Sequence, residues 1–172
     1  MKKYQNIIFT FLGAILVLGL IWFLQFLSGG QDSESLSTGG AISAENTLFD
    51  FGTISMAAGK VSHTFKIKNT AAEPLTIYKI YTSCMCTEAF FVKNDSSINS
   101  GQVKKGPFGM PGHGDGNSRL KQILAPNEEA DIEVIFDPAA HGPAGIGLIE
   151  REVYIESSGG KLALKIKTNV TP

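Results

Sequence analysis

The chain has 172 residues, and its 15 Lys and Arg against 16 Asp and Glu give a formal net charge of −1. Because no basic excess is present to contact phosphates, the composition argues against nucleic-acid binding. Charged residues make up only 18% of the chain while hydrophobic residues make up 43%, which indicates that the apolar residues are unevenly distributed.

The apolar residues are concentrated at the N-terminus, where residues 7–27 contain no charged side chain. A helix of this length rises roughly 32 Å, enough to cross a hydrocarbon core about 30 Å thick. The run is longer than that of a secretory signal peptide, and residues 26–28 offer no small-x-small cleavage site. We therefore predict an uncleaved transmembrane signal anchor, with a cleaved signal peptide as the alternative.

The charges around this segment predict its orientation. Lys2 and Lys3 precede the span, and the next Lys or Arg is Lys60, so the positive-inside rule predicts that residues 1–6 are cytoplasmic. The protein is thus expected to cross the cell membrane once, with its C-terminal part outside the cytoplasm. Residues 28–44 are rich in Ser and Gly and predict a flexible linker.

Residues 45–172 show the alternation of apolar and polar side chains that is typical of strands with one buried face. Strands are predicted at 48–54, 61–68, 75–82, 87–93, 132–136, 149–155 and 161–167. In the third of these the alternation slips near Lys79, which indicates a bulge. Residues 157–160, Ser-Ser-Gly-Gly, favour a hairpin turn between the last two strands.

About seven strands without a soluble helix predict an all-β domain, an immunoglobulin-like β-sandwich, with a barrel as the alternative. Residues 94–120 break the rhythm as a long Gly-rich insert without periodic apolar residues. Connections this long are usually functional or disordered. Shortening 101–116 is therefore expected to cost little stability, since loop-closure entropy changes slowly with length.

Several short motifs follow one another between the first strands. They are Phe-Asp-Phe-Gly-Thr at 49–53, His-Thr-Phe at 63–65, Asn-Thr at 69–70, Pro-Leu-Thr-Ile at 74–77 and Ser-Cys-Met-Cys-Thr at 83–87. Together they resemble the bacterial domain-of-unknown-function family numbered 1573, and Ala-Pro at 125–126 and Phe-Asp-Pro at 136–138 extend the resemblance over most of 46–169.

The resemblance implies an immunoglobulin-type sandwich related to the Hydin and major-sperm-protein domains, and it implies no established activity. The chain departs from the family's usual pattern at two places. Met85 stands where the family usually has Gly between the cysteines, and the Gly-rich insert together with residues 141–145 exceeds the minimal domain.

Cys84 and Cys86 are the two cysteines of the chain. In an extended strand their side chains would leave the same face, with Cα atoms about 6.6 Å apart. That spacing is near the upper limit for a disulfide, so an unstrained bridge is not expected unless the backbone turns at Met85. Three interpretations stay open: small buried packing residues, a vicinal redox pair, or ligands of a soft metal.

The metal interpretation depends on additional ligands from other loops. Two thiolates could bind Cu(I) or Zn(II), and soft sulfur ligands favour Cu(I). The candidate partners of Cys84 and Cys86 are Met110, His113 and His141, which lie in two loops rich in Gly and Pro. Copper is accordingly the cofactor that this alternative predicts. His63 lies in the apolar register of its strand and is expected at the edge of the core.

No nucleophile motif accompanies the cysteines, and no catalytic residue is predicted. The acidic residues Asp131, Glu133, Glu150 and Glu152 alternate with apolar residues and predict a solvated face rather than a general acid and base. The sequence predicts a membrane-anchored module that binds or scaffolds a protein partner in the cell envelope, and not an enzyme. Its alternative function is copper binding or thiol redox chemistry at the Cys-x-Cys motif.

Overall fold

A computed structural model of the chain describes residues 40–95, 99, 101–113 and 118–172. The predicted transmembrane segment at 7–27 lies outside these residues, as does most of the predicted linker. In the part of the chain that is described, no helix is long and apolar enough to cross a membrane.

The described residues form ten strands in two five-stranded sheets. The first sheet, in spatial order, consists of β1 (Ile42–Ala44), β3 (Val61–Asn69), β8 (Glu129–Phe136), β5 (Thr87–Asn94) and β6 (Gln102–Phe108). The second consists of β2 (Leu48–Ser55), β10 (Gly160–Thr171), β9 (Gly147–Ser157), β4 (Leu75–Thr82) and β7 (Arg119–Leu124). Short 3-10 helices cover Met56–Ala58 and Gly142–Gly145.

The core contains the inward-facing side chains of both sheets. In the first sheet Phe65 of β3 lies opposite Ile132 of β8, which in turn lies opposite Phe91 of β5. In the second sheet Leu164 of β10 lies opposite Val153 of β9. All five are buried. The period-two pattern of each strand therefore places its apolar residues against the other sheet.

The predicted all-β sandwich is confirmed, and the barrel alternative is wrong because the strands divide into two separate sheets. The register of β4 shifts between Ile77 and Lys79, as the slip in its alternation predicted. The predicted hairpin joins β9 to β10, with Gly160 opposite Ser157.

The described residues contain ten strands rather than about seven, in part because the first strand lies inside the predicted linker. Ile42 of β1 is buried and pairs with Asn69 of β3. A single apolar residue among Ser, Gly and Ala gives no periodic signal, so the sequence pattern assigned this segment to the linker.

The Gly-rich insert at 94–120 contains further strands, so the prediction of one long connection without strands is wrong. It includes all of β6, which pairs with β5, and the first residues of β7. Phe108 of β6 is buried in the core. At Gly106, which has φ +132°, a Cβ would lie 2.8 Å from the Ala89 carbonyl oxygen. The role of glycine at this position is to allow β6 to approach β5 closely, and not to make the insert flexible.

Candidate functional site

Both cysteines lie in a tight turn where the chain passes from one sheet to the other. β4 ends at Thr82 and β5 begins at Thr87, and the Thr87 N–H donates to the Cys84 carbonyl at 3.2 Å. The Thr82 hydroxyl donates to the same carbonyl at 2.9 Å. The turn brings the Cα atoms of Cys84 and Cys86 to 5.3 Å, and a disulfide joins the two residues. The bridge therefore closes because the backbone turns at Met85, which is the case that the sequence analysis left open.

Neighbouring segments hold this turn in place. The Ser83 N–H donates to the Glu152 carbonyl at 2.9 Å, and the Ser83 hydroxyl accepts from the Glu152 N–H at 2.9 Å. The Asp137 N–H donates to the Cys86 carbonyl at 2.9 Å. The cysteine turn is thus attached both to β9 and to the segment that follows β8.

A histidine reaches the sulfur of Cys84 from a loop distant in sequence. Nε2 of His141 lies 3.1 Å from Sγ of Cys84. Both cysteines are buried, at 8% exposure for Cys84 and 3% for Cys86, whereas His141 is exposed. The two sulfurs and an imidazole nitrogen of His141 all lie within 4.8 Å of one another.

Arg151 reaches the other sulfur and was missed by the sequence analysis. Its Nε donates to Sγ of Cys86 at 3.3 Å, and the Thr87 hydroxyl lies 3.7 Å from the same sulfur. A signal for this role is present in the sequence, because Arg151 occupies the inward-facing register of Val153 and Ile155 on β9. A charged side chain at an inward register requires a polar partner.

The other two predicted ligands, Met110 and His113, lie in the loop after β6. The Thr82 N–H donates to the Gly109 carbonyl at 3.2 Å, which attaches this loop to the segment just before Cys84. His113 is exposed, and the group of ligand atoms found among the described residues contains Cys84, Cys86 and His141 without it. The structure therefore brings His141 to the cysteines and leaves His113 apart from them.

A small cavity of about 50 Å³ adjoins Cys86. Its lining includes Met85, which is 55% exposed, and the ion pair of Lys60 with Glu88. Asp137 also lines it, and its carboxylate accepts a hydrogen bond from the Ala139 N–H at 2.9 Å.

His63 lies outside this site and at the edge of the core, as its register predicted. Its ring stacks on Phe49 at a centroid distance of 3.6 Å and meets Phe65 edge-on at 4.7 Å. Desolvation in this aromatic setting lowers the pKa of the imidazole below its ordinary value.

The site has two chemical forms. In the oxidised form the sulfurs form the disulfide. Reduction by two electrons and two protons would give two thiols beside an imidazole and a guanidinium, and the thiolates with the imidazole would form a soft ligand set.

Residues 42–105 match the model of a family described as "Protein of unknown function (DUF1573)". The family resemblance is confirmed over this segment. The DUF1573 segment includes Cys84 and Cys86, whereas His141 and Arg151 lie beyond it. The resemblance inferred for residues after 105 is not part of this match.

Solved structures show the same fold at low sequence identity. A protein of unknown function from Porphyromonas gingivalis W83 superposes with a TM-score of 0.51 at 15% identity, over 80% of this chain and 51% of that one. The chain thus spans about half the length of that protein. The sequence matches none of the curated proteins with which it was compared.

Two further structures are similar at lower scores. PapD-like domain 7 of human CEP192 has a TM-score of 0.44 at 10% identity, over 77% of this chain and 87% of that one. The C. elegans MSP family member WR4 has a TM-score of 0.42 at 9% identity, over 77% of this chain and 99% of that one.

Proposed function

We propose that this chain is a membrane-anchored extracytoplasmic binding module that holds a soft monovalent metal ion, Cu(I), and is not an enzyme. The observation that carries the proposal is the convergence of two sulfurs and an imidazole nitrogen within 4.8 Å at one end of the sandwich. Soft sulfur ligands favour Cu(I).

The location is supported by the sequence. The uncharged segment at 7–27 is long enough to cross a membrane, and Lys2 and Lys3 precede it. By the positive-inside rule the β-sandwich then lies outside the cytoplasm.

Asp137 supports a preorganised ligand set, because it connects the two segments that carry the ligands. Its N–H donates a hydrogen bond to the Cys86 carbonyl. Its carboxylate accepts from the Ala139 N–H, and its backbone carbonyl accepts from the Ala140 N–H. His141 follows directly. The cysteine turn and the histidine loop are therefore fixed relative to each other by one residue, which lowers the entropy lost when three ligands converge on an ion.

Binding requires the reduced form of the cysteines. The disulfide must accept two electrons and two protons from a reductant, for example a dithiol that is itself oxidised to a disulfide. The thiols then lose their protons as they ligate the ion, so metal affinity depends on both redox state and pH. The oxidised form would hold no metal.

The disulfide favours a second candidate function, that of a reversible thiol redox pair. Arg151 donates to Cys86 and His141 contacts Cys84, and both contacts would stabilise thiolates after reduction. A third candidate function is a module that binds or scaffolds a protein partner. In that case the cysteines only contribute to packing and neither bind a metal nor change redox state.

Titration of the reduced full-length chain in detergent with Cu(I), against a competing chelator under anaerobic conditions, tests the proposal. Replacing both cysteines, Cys84→Ser with Cys86→Ser, should abolish binding. His141→Ala should weaken binding by more than the roughly tenfold that loss of an outer-shell partner can cost. The matched control is His113→Ala, another exposed histidine, which should leave the affinity unchanged.

Wild-type binding no tighter than that of the double cysteine variant would overturn the metal proposal. If the cysteines of that same protein still cycle between disulfide and dithiol with an added dithiol, as read by thiol alkylation, the redox function is favoured instead. If they do not, the scaffolding function is favoured.

A further inference from the structure

Arg151 places a permanent positive charge against the sulfur of Cys86. Its backbone lies in the middle of the β9–β10 ladder, opposite Ile166. Its guanidinium is held from two sides, since Nε donates to Sγ of Cys86 at 3.3 Å and a terminal nitrogen donates to the Glu150 carbonyl at 2.8 Å. The charge is therefore fixed in position rather than free to move with a flexible side chain.

We infer that Arg151 makes the site selective for monovalent over divalent soft metal ions. This inference rests on the metal-binding function proposed above and concerns its specificity. Arg151 is offered as a specificity-determining residue, since it contacts a proposed ligand and is not itself one.

The charges of the ligands, the ion and Arg151 add up differently for monovalent and divalent ions at the buried cysteines. Two thiolates and a neutral imidazole carry two negative charges. A monovalent ion leaves one negative charge, which the guanidinium balances, whereas a divalent ion already neutralises the ligands and leaves the guanidinium in excess. An unbalanced charge costs more as burial increases, so Arg151 disfavours the divalent ion.

Other charged groups near Arg151 act less strongly on the sulfurs. Glu150 and Glu152 on β9 both form ion pairs with Lys165 of β10, at 3.7 and 3.5 Å. These side chains are partly exposed, and the recess they line with Arg151 opens to solvent. Solvent and salt screen such charges, whereas the contact between Arg151 and the sulfur is direct.

The negative charge of Asp137 should have the opposite effect on the preference for monovalent ions. Asp137 lines the small cavity beside Cys86, and its negative charge would favour the more positive ion. The residue thereby supplies a second, independent test of the charge argument, with the opposite expected sign. Asp137→Asn keeps an oxygen that can accept from the Ala139 N–H, so the variant removes charge with little change in the loop.

The experiment compares Ag(I) with Cd(II), two soft ions that differ in charge, on the reduced full-length chain in detergent. Each affinity is measured by competition with a chelator. Arg151→Gln should lower the ratio of Ag(I) to Cd(II) affinity by about tenfold or more. Arg151→Lys keeps the positive charge and should have a ratio of Ag(I) to Cd(II) affinity close to that of the wild type. Asp137→Asn should raise this ratio. Lys165→Gln removes a cation from the adjacent strand that does not contact sulfur, and should leave the ratio unchanged.

The outcomes separate this inference from the function on which it rests. A wild-type chain that binds neither ion overturns the metal-binding function and the inference with it. A wild-type chain that binds both ions, with the same ratio in Arg151→Gln, overturns the inference alone. If Arg151→Gln fails to unfold cooperatively, Asp137→Asn decides, because an unchanged or lowered ratio in that variant contradicts the charge argument.

Discussion

His63 couples the packing between the two sheets to pH. Its ring, on β3 of the first sheet, stacks on Phe49 of β2 in the second sheet at a centroid distance of 3.6 Å. Partial burial lowers the pKa of the imidazole, because the charged form loses hydration. The unfolded chain therefore binds more protons than the folded chain as the pH falls to and below the ordinary value of 6.5. The free energy of unfolding must then decrease as the pH is lowered through this range.

We predict that His63→Phe, which keeps an aromatic ring but cannot be protonated, loses part of this pH dependence. Denaturant unfolding of the full chain between about pH 7 and pH 5 measures it, since these values bracket the ordinary histidine pKa. The wild type should lose more stability on acidification than the variant. His113→Gln, a change at an exposed histidine, is the control. Equal loss in the wild type and in His63→Phe would contradict the prediction.

Some strands can be predicted from the sequence and others cannot, and the position of each strand in its sheet explains the difference. Strands β3, β8, β9 and β10 each present several inward-facing apolar residues, so alternation identifies them. β1, β6 and β7 lie at sheet edges and each bury essentially one apolar side chain, namely Ile42, Phe108 and Leu124. A single apolar residue has no period, which is why β1 was assigned to the linker, β6 to the insert and β7 to no predicted strand.

Phe108 tests whether the insert belongs to the core. It is 3% exposed at the end of β6, next to the Gly-rich loop. Phe108→Ala should lower the free energy of unfolding by about 3 kcal/mol, through lost burial and the cavity left behind. Lys105→Ala on the same strand is the matched control, and an exposed substitution should change stability by no more than about 0.5 kcal/mol. Similar denaturant midpoints for the two variants would show that β6 is peripheral.

The cysteine site could be predicted only in part, because some of its contacts join residues that are distant in sequence. Cys84 and Cys86 are separated by one residue, so their pairing is a local question, although the turn that joins them was not visible in the pattern. His141 and Arg151 contact these sulfurs across 57 and 65 residues. Such contacts depend on the strand order of the two sheets, and the sequence offered three equivalent ligand candidates for one position.

The whole β-sandwich separates the entry of the chain from the cysteine site. The Ala41 N–H donates to the Gly159 carbonyl at 2.8 Å, beside the residues where β4 begins. The cysteine turn follows the other end of β4, eight residues later, a separation of roughly 26 Å along an extended strand. The described chain thus enters the β-sandwich at the end opposite Cys84 and Cys86.

The membrane topology is the broadest prediction. A reporter enzyme that is active only after export, fused after Pro172 of the full-length chain, should be active, because Lys2 and Lys3 keep the N-terminus in the cytoplasm. The matched fusion that lacks residues 7–27 should be inactive, since the apolar segment is what directs export. A reporter active only in the cytoplasm should give the reverse pair of results. An inactive export reporter on the intact chain would place the cysteine site in the cytoplasm and contradict the proposed location.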